Sequence, residues 1–442
     1  MMPILAGLAA VLAGAGLAEV LIASRLVAAF ARARPAATPF SRPPVTVLKP
    51  LHGDEPLLEE ALATLCRQDY PEWQIVFGVQ EEADTAIAVV RRLQADFPDL
   101  AIDLVIDPTL HGRNRKIGNL INMMPAARHD VVVIADADIH ARPDYLDRLV
   151  AALQEPDVGL VTTLYAGLPA AGQHDAGATL AARLGATQIT HGFLPSALLA
   201  RELGRQDCLG ATMCLRRRDL DRVGGLRALV DHLADDNVLG RRILDLGSRV
   251  ALADTVTLTT VPETSLRALF CHELRWARTI RALEPVGFAA SVLQYPLAWA
   301  LLTIVLAGGA LWSVGFFGIA WVLRAVAGLG VDGALAPLWT PDPRIPGPPS
   351  LDPRSAARGG MSAARGGIDV AALAFSCPVW LLPLRDVLSV AVLLASYGGR
   401  HVVWRGHGLH ADTPPPAQHT ATHRPLPRRP LHCSPFEGTN AR

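Results

Sequence analysis

Two carboxylates one residue apart, Asp136 and Asp138, follow directly on the apolar run VVVIA. A buried strand that ends in such a pair delivers both acids to the edge of a sheet. There they can share one divalent cation, Mg²⁺ or Mn²⁺, and neutralise the charge on a diphosphate leaving group. A second acidic pair, Asp235 and Asp236, opens the helical pattern LADDNVLGRRIL (233–244). Acids at that point complement the positive end of a helix dipole, or one of them acts as a general base towards a hydroxyl. Leu233, Val238, Leu239, Ile243 and Leu244 would pack such a helix inward and hold the acid in place. The third cluster is His272-Glu273-Leu274-Arg275-Trp276. On a helix, residues 272, 275 and 276 share a face. That face carries an Arg suited to a diphosphate and an indole suited to the floor of a sugar or acceptor pocket. The same residue types also anchor apolar spans at a membrane interface. The fourth is the basic loop GRNRKIGNL (112–120), where Lys116 and the amides of a helix N-terminus could meet phosphate, or a solvated loop could do nothing more.

These residues need a scaffold that brings them to one edge. VTVL (45–48), IVFGV (75–79), IDLVI (102–106), VVVIAD (131–136) and GLVTTL (159–164) read as buried strands, with helical patterning between them. Alternation of this kind predicts an α/β domain with a mostly parallel sheet covered on both faces. Ligands of such sheets bind beyond the carboxyl ends of the strands, where the acids fall.

Half of the 442 residues are hydrophobic, the mean hydropathy is +0.28 and the formal net charge is zero. No long basic run is present, so nucleic acid is not an expected partner. The six cysteines form no CxxC pair, which predicts neither structural zinc nor disulfides. Residues 1–35 read as an N-terminal transmembrane anchor whose apolar run, Pro3 to Phe30, is too long for a signal peptide and ends in Arg32, Arg34 and Arg42, which places the next domain in the cytosol. Residues 43–285 read as a cytosolic domain that carries the acids, and 287–331 as two transmembrane helices. Residues 332–366 read as a disordered Pro- and Gly-rich insertion, 367–405 as a last membrane segment and 406–442 as a disordered tail. Within the last segment, the adjacent Arg385 and Asp386 mark either the interface of a broken helix or the join of two short ones.

The ordered set VTVLKPLHGDEP (45–56), VQEEAD (79–84), RNRKIGNLINMMP (113–125), VVVIADAD (131–138), LADDNVLG (233–240) and HELRWAR (272–278) resembles the ceramide glucosyltransferase group of GT-A enzymes. Within it, the chain looks most like the bacterial hopanoid-biosynthesis-associated glycosyltransferases. The resemblance covers roughly residues 1–330 and 370–405. It implies a GT-A, Rossmann-like nucleotide-diphospho-sugar transferase domain with flanking transmembrane helices, in the bacterial inner membrane and multi-pass. It also implies an inverting transferase with a UDP-sugar donor, UDP-N-acetylglucosamine in the hopanoid branch, and a lipid acceptor, bacteriohopanetetrol or a ceramide-like lipid. Residue by residue, it places metal and nucleotide at Asp136 with Asp138, the base at Asp236 with Asp235 beside it on the nucleotide-sugar, and the Arg-Trp pair at Arg275 and Trp276. Lys116 is the matching lysine. The chain departs from the pattern twice: the first aspartate of the set falls on Glu81, with Asp84 nearby, and the residue that opens the Arg-Trp motif is His272. Other readings are a UDP-glucose-dependent glycolipid glucosyltransferase, a processive polysaccharide synthase, and a non-catalytic membrane scaffold. About four apolar spans leave little room for the channel a processive synthase needs, and the intact acids argue against a scaffold.

Overall fold

The computed structural model describes residues 1–33, 41–53, 55–170, 178–339, 370–399, 401–404 and 407–410. Its centre is an eight-stranded sheet of β1 (Val45–Pro50), β2 (Trp73–Val79), β3 (Ala101–Ile106), β4 (Val131–Ala135), β5 (Ile139–His140), β6 (Val158–Pro169), β7 (Thr212–Arg216) and β8 (Arg249–Val261), in the order β3-β2-β1-β4-β7-β6-β8-β5. The first four in that order run parallel, as the sequence predicts. β7 is antiparallel to both β4 and β6, β6 and β8 are parallel, and the short β5 pairs antiparallel with β8, so the sheet is mixed. All five expected strands are present.

The strands read as unbroken apolar runs because both faces are covered, and side chains of successive residues serve opposite cores. Val45, Val47 and Val133 pack on one face with helices α2 (Leu58–Cys66), α3 (Ala86–Asp96) and α5 (Tyr145–Leu153). Leu48, Val132 and Ile134 pack on the other with α4 (Arg115–Met123), α8 (Arg217–Arg222) and α9 (Asp235–Asp245). A third layer is formed by α6 (Leu180–Gln188), a π-helical turn (Ile189–Phe193) and α7 (Leu194–Glu202). Here Gly167 of β6 is required by close approach, because a Cβ at this position would lie 2.5 Å from the Cα of Ala186. α10 (Leu266–Leu283) carries the His-Glu-Leu-Arg-Trp cluster, and the Ser265 hydroxyl caps it by accepting from the Ala268 amide at 3.2 Å.

Among the described residues, three stretches are long and apolar enough to cross a membrane: α1 (Met2–Arg32), α13 (Leu311–Trp339) and Ala372–Ser396. A fourth candidate is a pair of segments, Pro285–Gln294 and Pro296–Leu306, bent by 66°. It comprises α11 (Pro285–Ala290) and α12 (Pro296–Leu306), and Pro296 starts the new direction because proline cannot donate to the preceding turn. α13 continues past residue 331, where the sequence places the start of the insertion. Residues 340–369 and the tail from 411 lie outside the described residues. The tail expected from 406 includes a strand, because His401–Trp404 and His407–His410 pair as an antiparallel hairpin. Cys66, Cys208, Cys214 and Cys377 are free thiols, whereas Cys271 is disulfide-bonded, against the expectation of no disulfides.

The apolar half of α1 joins the bundle through Ala13 and Leu17, which meet Leu297, Ala300, Ala320 and Leu382. Its C-terminal part instead packs on the sheet, with Val27 against Leu164, Leu258 and Val331. The apolar helical bundle and the sheet domain therefore share α1 and α13 as common walls.

Candidate active site

The carboxyl edge of the parallel strands gathers the charged residues. β4 ends at Ala135, and the chain turns at once, with the Ile139 amide donating to the Asp136 carbonyl at 3.3 Å. Asp136 and Asp138 sit on this turn. Asp138 is held by the Thr259 hydroxyl of β8, and burial followed by the nearby Asp136 charge pushes its carboxyl above the usual range. From β1, fully buried Lys49 donates to the Asp136 carbonyl and, at 3.4 Å, to the Ile139 carbonyl. It clamps the turn from beneath. Burial holds the Lys49 pKa down at about 8, although Asp138 and Asp136 favour its charge.

Lys116, in the first turn of α4, is the hub of the cluster. Its Nζ lies 2.6 Å from Asp136 Oδ1 and 3.6 Å from Asp235 Oδ2. Burial opposes its charge, but Asp136 and Asp235 outweigh that effect and hold the ammonium protonated. Asn114 fixes the geometry: it caps α4 by accepting from the Ile117 amide at 3.1 Å, and its Nδ2 donates to Asp235 Oδ1 at 3.2 Å and to the His232 carbonyl at 2.8 Å. The starts of two helices are thereby tied together around one lysine. Asp236, next along α9, has its carboxyl pushed up to about 6, first by burial and then by the Asp235 charge, with Lys116 opposing.

An aromatic floor adjoins the acids. Tyr165 of β6 stacks on Phe193 of the π-helical turn with ring centroids 4.8 Å apart. Its phenol is held protonated by burial and then by the charges of Asp236, Asp136 and Asp138. Trp276 packs in the same cluster with Ile189 and Val261, and its ring meets His272 edge-on at 4.5 Å. His272 Nδ1 is bonded to Glu263, just past β8. Burial would raise the Glu263 pKa, but the His272 hydrogen bond and charge, with the nearby Arg275, hold it below the usual range.

The structure thus brings Lys116, Asp136, Asp138, Asp235 and Asp236 into one cluster, joins Trp276 to it through Tyr165, and places His272 and Arg275 around Glu263. Glu81 stands at the rim, exposed and 3.9 Å from Arg115. Asp84 stands apart. Its carboxylate is buried and accepts from the amides of Gly53 (3.0 Å) and Ala86 (2.9 Å), so it clasps two loops and leaves Glu81 as the open acid of the pair.

The sequence profile of glycosyl transferase family 21 matches residues 8–341. The chain belongs to this family. It is 25% identical over 255 residues to ceramide glucosyltransferase 1 of Caenorhabditis elegans, covering 57% of this chain and 53% of the relative. It is also 25% identical over 254 residues to an N-acetylglucosaminyltransferase of Rhizobium meliloti (strain 1021), covering 54% and 55%. The chain therefore spans about half the length of the curated relatives it matches. A solved mannosyltransferase from Pyrobaculum calidifontis, in complex with GDP-Man and Mn²⁺, superposes with a TM-score of 0.48 at 21% identity, over 89% of this chain and 99% of that one.

In this family-21 chain, sequence reasoning missed Lys49, Asn114's role, Tyr165, Thr259 and Glu263. Lys49 carried a signal, since a lysine at the end of an apolar strand run has no reason to be buried unless it braces something. Gly210 was also missed. A Cβ there would lie 2.6 Å from Asp236 Oδ2, so only glycine leaves that carboxylate its place. Gly210→Ala is expected to displace Asp236 and lower turnover by about 10²-fold, the cost of an ångström-scale misplacement, with nucleotide affinity retained. Turnover equal to that of the unaltered chain would show that Asp236 tolerates displacement.

Proposed function

We propose that this chain is a membrane-bound inverting glycosyltransferase that moves a sugar from a UDP-sugar onto a hydroxyl of a membrane lipid. The observation that carries the reading is Asp236, a carboxyl with a pKa near 6 beside the Lys116–Asp136 cluster and an aromatic floor. A carboxylate poised near neutral pH is suited to take a proton from a hydroxyl. As Asp236 removes that proton, the hydroxyl oxygen bonds to the anomeric carbon. The bond from that carbon to the diphosphate oxygen breaks, and UDP leaves with the electron pair. Lys116 and Arg275 supply positive charge to the diphosphate, Glu81 meets the nucleotide at the rim, and Trp276 with Tyr165 gives the sugar or acceptor an apolar face.

The residues fit a divalent cation. Asp136 and Asp138 offer hard oxygen ligands; burial first and then the Asp136 charge raise the Asp138 pKa, and a cation would offset both by favouring the charged carboxylates. When bound, Mg²⁺ or Mn²⁺ supplies Lewis-acid stabilisation of the leaving diphosphate.

The donor we favour is UDP-N-acetylglucosamine with bacteriohopanetetrol as acceptor. Support comes from the resemblance to the hopanoid branch and from the name of the Rhizobium relative. Transfer of glucose to ceramide is the second reading, supported by the name of the nematode relative. Arg25 and Arg32 of α1 favour a cytosolic catalytic domain in a bacterial inner membrane. The test supplies membranes containing the full chain with labelled UDP-N-acetylglucosamine, UDP-glucose or UDP-galactose, each with bacteriohopanetetrol or ceramide. Label in bacteriohopanetetrol from UDP-N-acetylglucosamine is the expected result. Label in ceramide moves the acceptor to the sphingolipid class, and no label in either lipid overturns the reading.

A further inference from the structure

A small polar cavity lies where the membrane bundle gives way to the catalytic domain. Its polar lining is Glu19 and Ser24 of α1, His191 of the π-helical turn, Ser196 of α7, Gln294 at the 66° bend, and Arg324 of α13. The position follows from the neighbours. Below it, Ala13 and Leu17 of α1 pack with the bundle; above it, Val27 packs on the sheet. The cavity thus lies where the apolar helices meet the sheet domain. Glu19 is the one acid in a 31-residue apolar helix, and an ionisable side chain in such a span marks a substrate path far more often than it fills space.

Two atoms on this lining lack a hydrogen bond, although one of them, Arg324 Nε, lies 4.0 Å from Asp386 Oδ1. His191 and Arg324 are 5% and 4% exposed, and His191 Nδ1 and Arg324 Nε are buried without a hydrogen bond. Their other atoms are committed. His191 Nε2 meets Asp332 Oδ1 at 2.7 Å, and Arg324 Nη2 donates to the His191 carbonyl at 3.1 Å. The carboxylate on Nε2 places the ring proton there and leaves Nδ1 as an acceptor, while Arg324 Nε is a donor. One acceptor and one donor on one small cavity are matched by a hydroxyl, which needs both. An anion does not fit, because Glu19 and the Nδ1 lone pair would repel it and Arg324 already has Asp386 at 4.0 Å. The volume of about 20 Å³ admits a single group of that size.

We infer that the cavity holds a hydroxyl of the acceptor lipid, a second one beyond the hydroxyl that reacts at Asp236; this rests on the proposed lipid acceptor. The π-helical turn joins the two places. His191 lines the cavity while Phe193, two residues on, stacks on Tyr165 beside the acids, and π-turns recur at functional sites. The site thereby selects lipids with at least two hydroxyls.

The test measures equilibrium binding of labelled ceramide (two hydroxyls) and of a diacylglycerol (one hydroxyl) to the full chain in nanodiscs, with UDP binding as the control. Ser24→Leu fills the cavity without removing an ion pair, since the Ser24 hydroxyl bonds only to the Leu21 carbonyl of its own helix. It is expected to weaken ceramide binding about tenfold, the loss of one well-made hydrogen-bonded contact, and to leave diacylglycerol and UDP binding unchanged. Equal weakening for both lipids, or none, overturns the inference and leaves the cavity to a structural water only. If Ser24→Leu also loses UDP, Glu19→Gln is measured in its place, and the ceramide-to-diacylglycerol ratio is read the same way. Sugar transfer by the unaltered chain is measured separately. A chain that binds ceramide selectively but transfers nothing refutes the proposed function and not the cavity.

Discussion

Asp236→Asn is expected to lower sugar transfer by about 10²–10⁴-fold, the range for loss of a well-placed base, while UDP binding stays largely intact. The amide keeps the shape and the hydrogen bond from the Asn237 amide (2.8 Å) but cannot take a proton. The pH profile should show the same group. Burial and Asp235 push the Asp236 carboxyl up to about 6, and a base works only when deprotonated. Turnover of the unaltered chain should therefore be level above that pH and fall about tenfold per unit below it. In Asp236→Asn that acid limb should vanish from the residual rate. Near-normal turnover, or an unchanged acid limb, would mean the base lies elsewhere.

Arg385→Leu is expected to destabilise the chain by about 3–5 kcal/mol, the cost of stranding one partner of a buried ion pair, and to lower activity with it. Arg385 lies in the C-terminal helix Leu382–Ser396 and is 1% exposed. Its guanidinium grips Glu273 of α10 through two hydrogen bonds, 2.8 and 2.7 Å, and also donates to the Leu184 carbonyl at 3.2 Å. Glu273 sits between His272 and Arg275, so this pair seats α10 on the helix Leu382–Ser396. The double variant Glu273→Leu/Arg385→Met should regain most of the lost stability, because a well-packed apolar pair avoids the desolvation of two charges. Thermal unfolding in detergent reads both, and an unshifted midpoint for Arg385→Leu alone would show that the pair does not hold α10 in place.

This pair also marks the limit of what the sequence reveals. Arg385 and Asp386 read as the interface of a broken helix or the join of two short ones, yet both fall within one helix. Their partners come from distant segments: Glu273 for Arg385, and the Leu297 amide for Asp386 at 3.0 Å. Periodicity carries no information about contacts of that range. The acidic centre was legible for the opposite reason. β4 is a fully buried strand, so its end fixes where Asp136 must emerge, and the first turns of α4 and α9 place Lys116 and Asp235 by local rules. The long β8 was not read as a strand because Asp254 interrupts its apolar pattern and its pairing with β6 shifts register. Tyr165 looks ordinary in the sequence, Lys49 stands out only as a lysine ending an apolar run, and only the order of β1, β4 and β6 in the sheet brings them to the acids.

The most direct measurement of the central claim is metal-dependent transfer by the purified full chain in nanodiscs, following labelled N-acetylglucosamine from UDP-N-acetylglucosamine into bacteriohopanetetrol. Chelation should stop label entering lipid, and Mn²⁺ or Mg²⁺ should restore it in the unaltered chain but not in Asp138→Asn. Transfer that persists through chelation, or no transfer by a preparation that still binds UDP, would contradict the account.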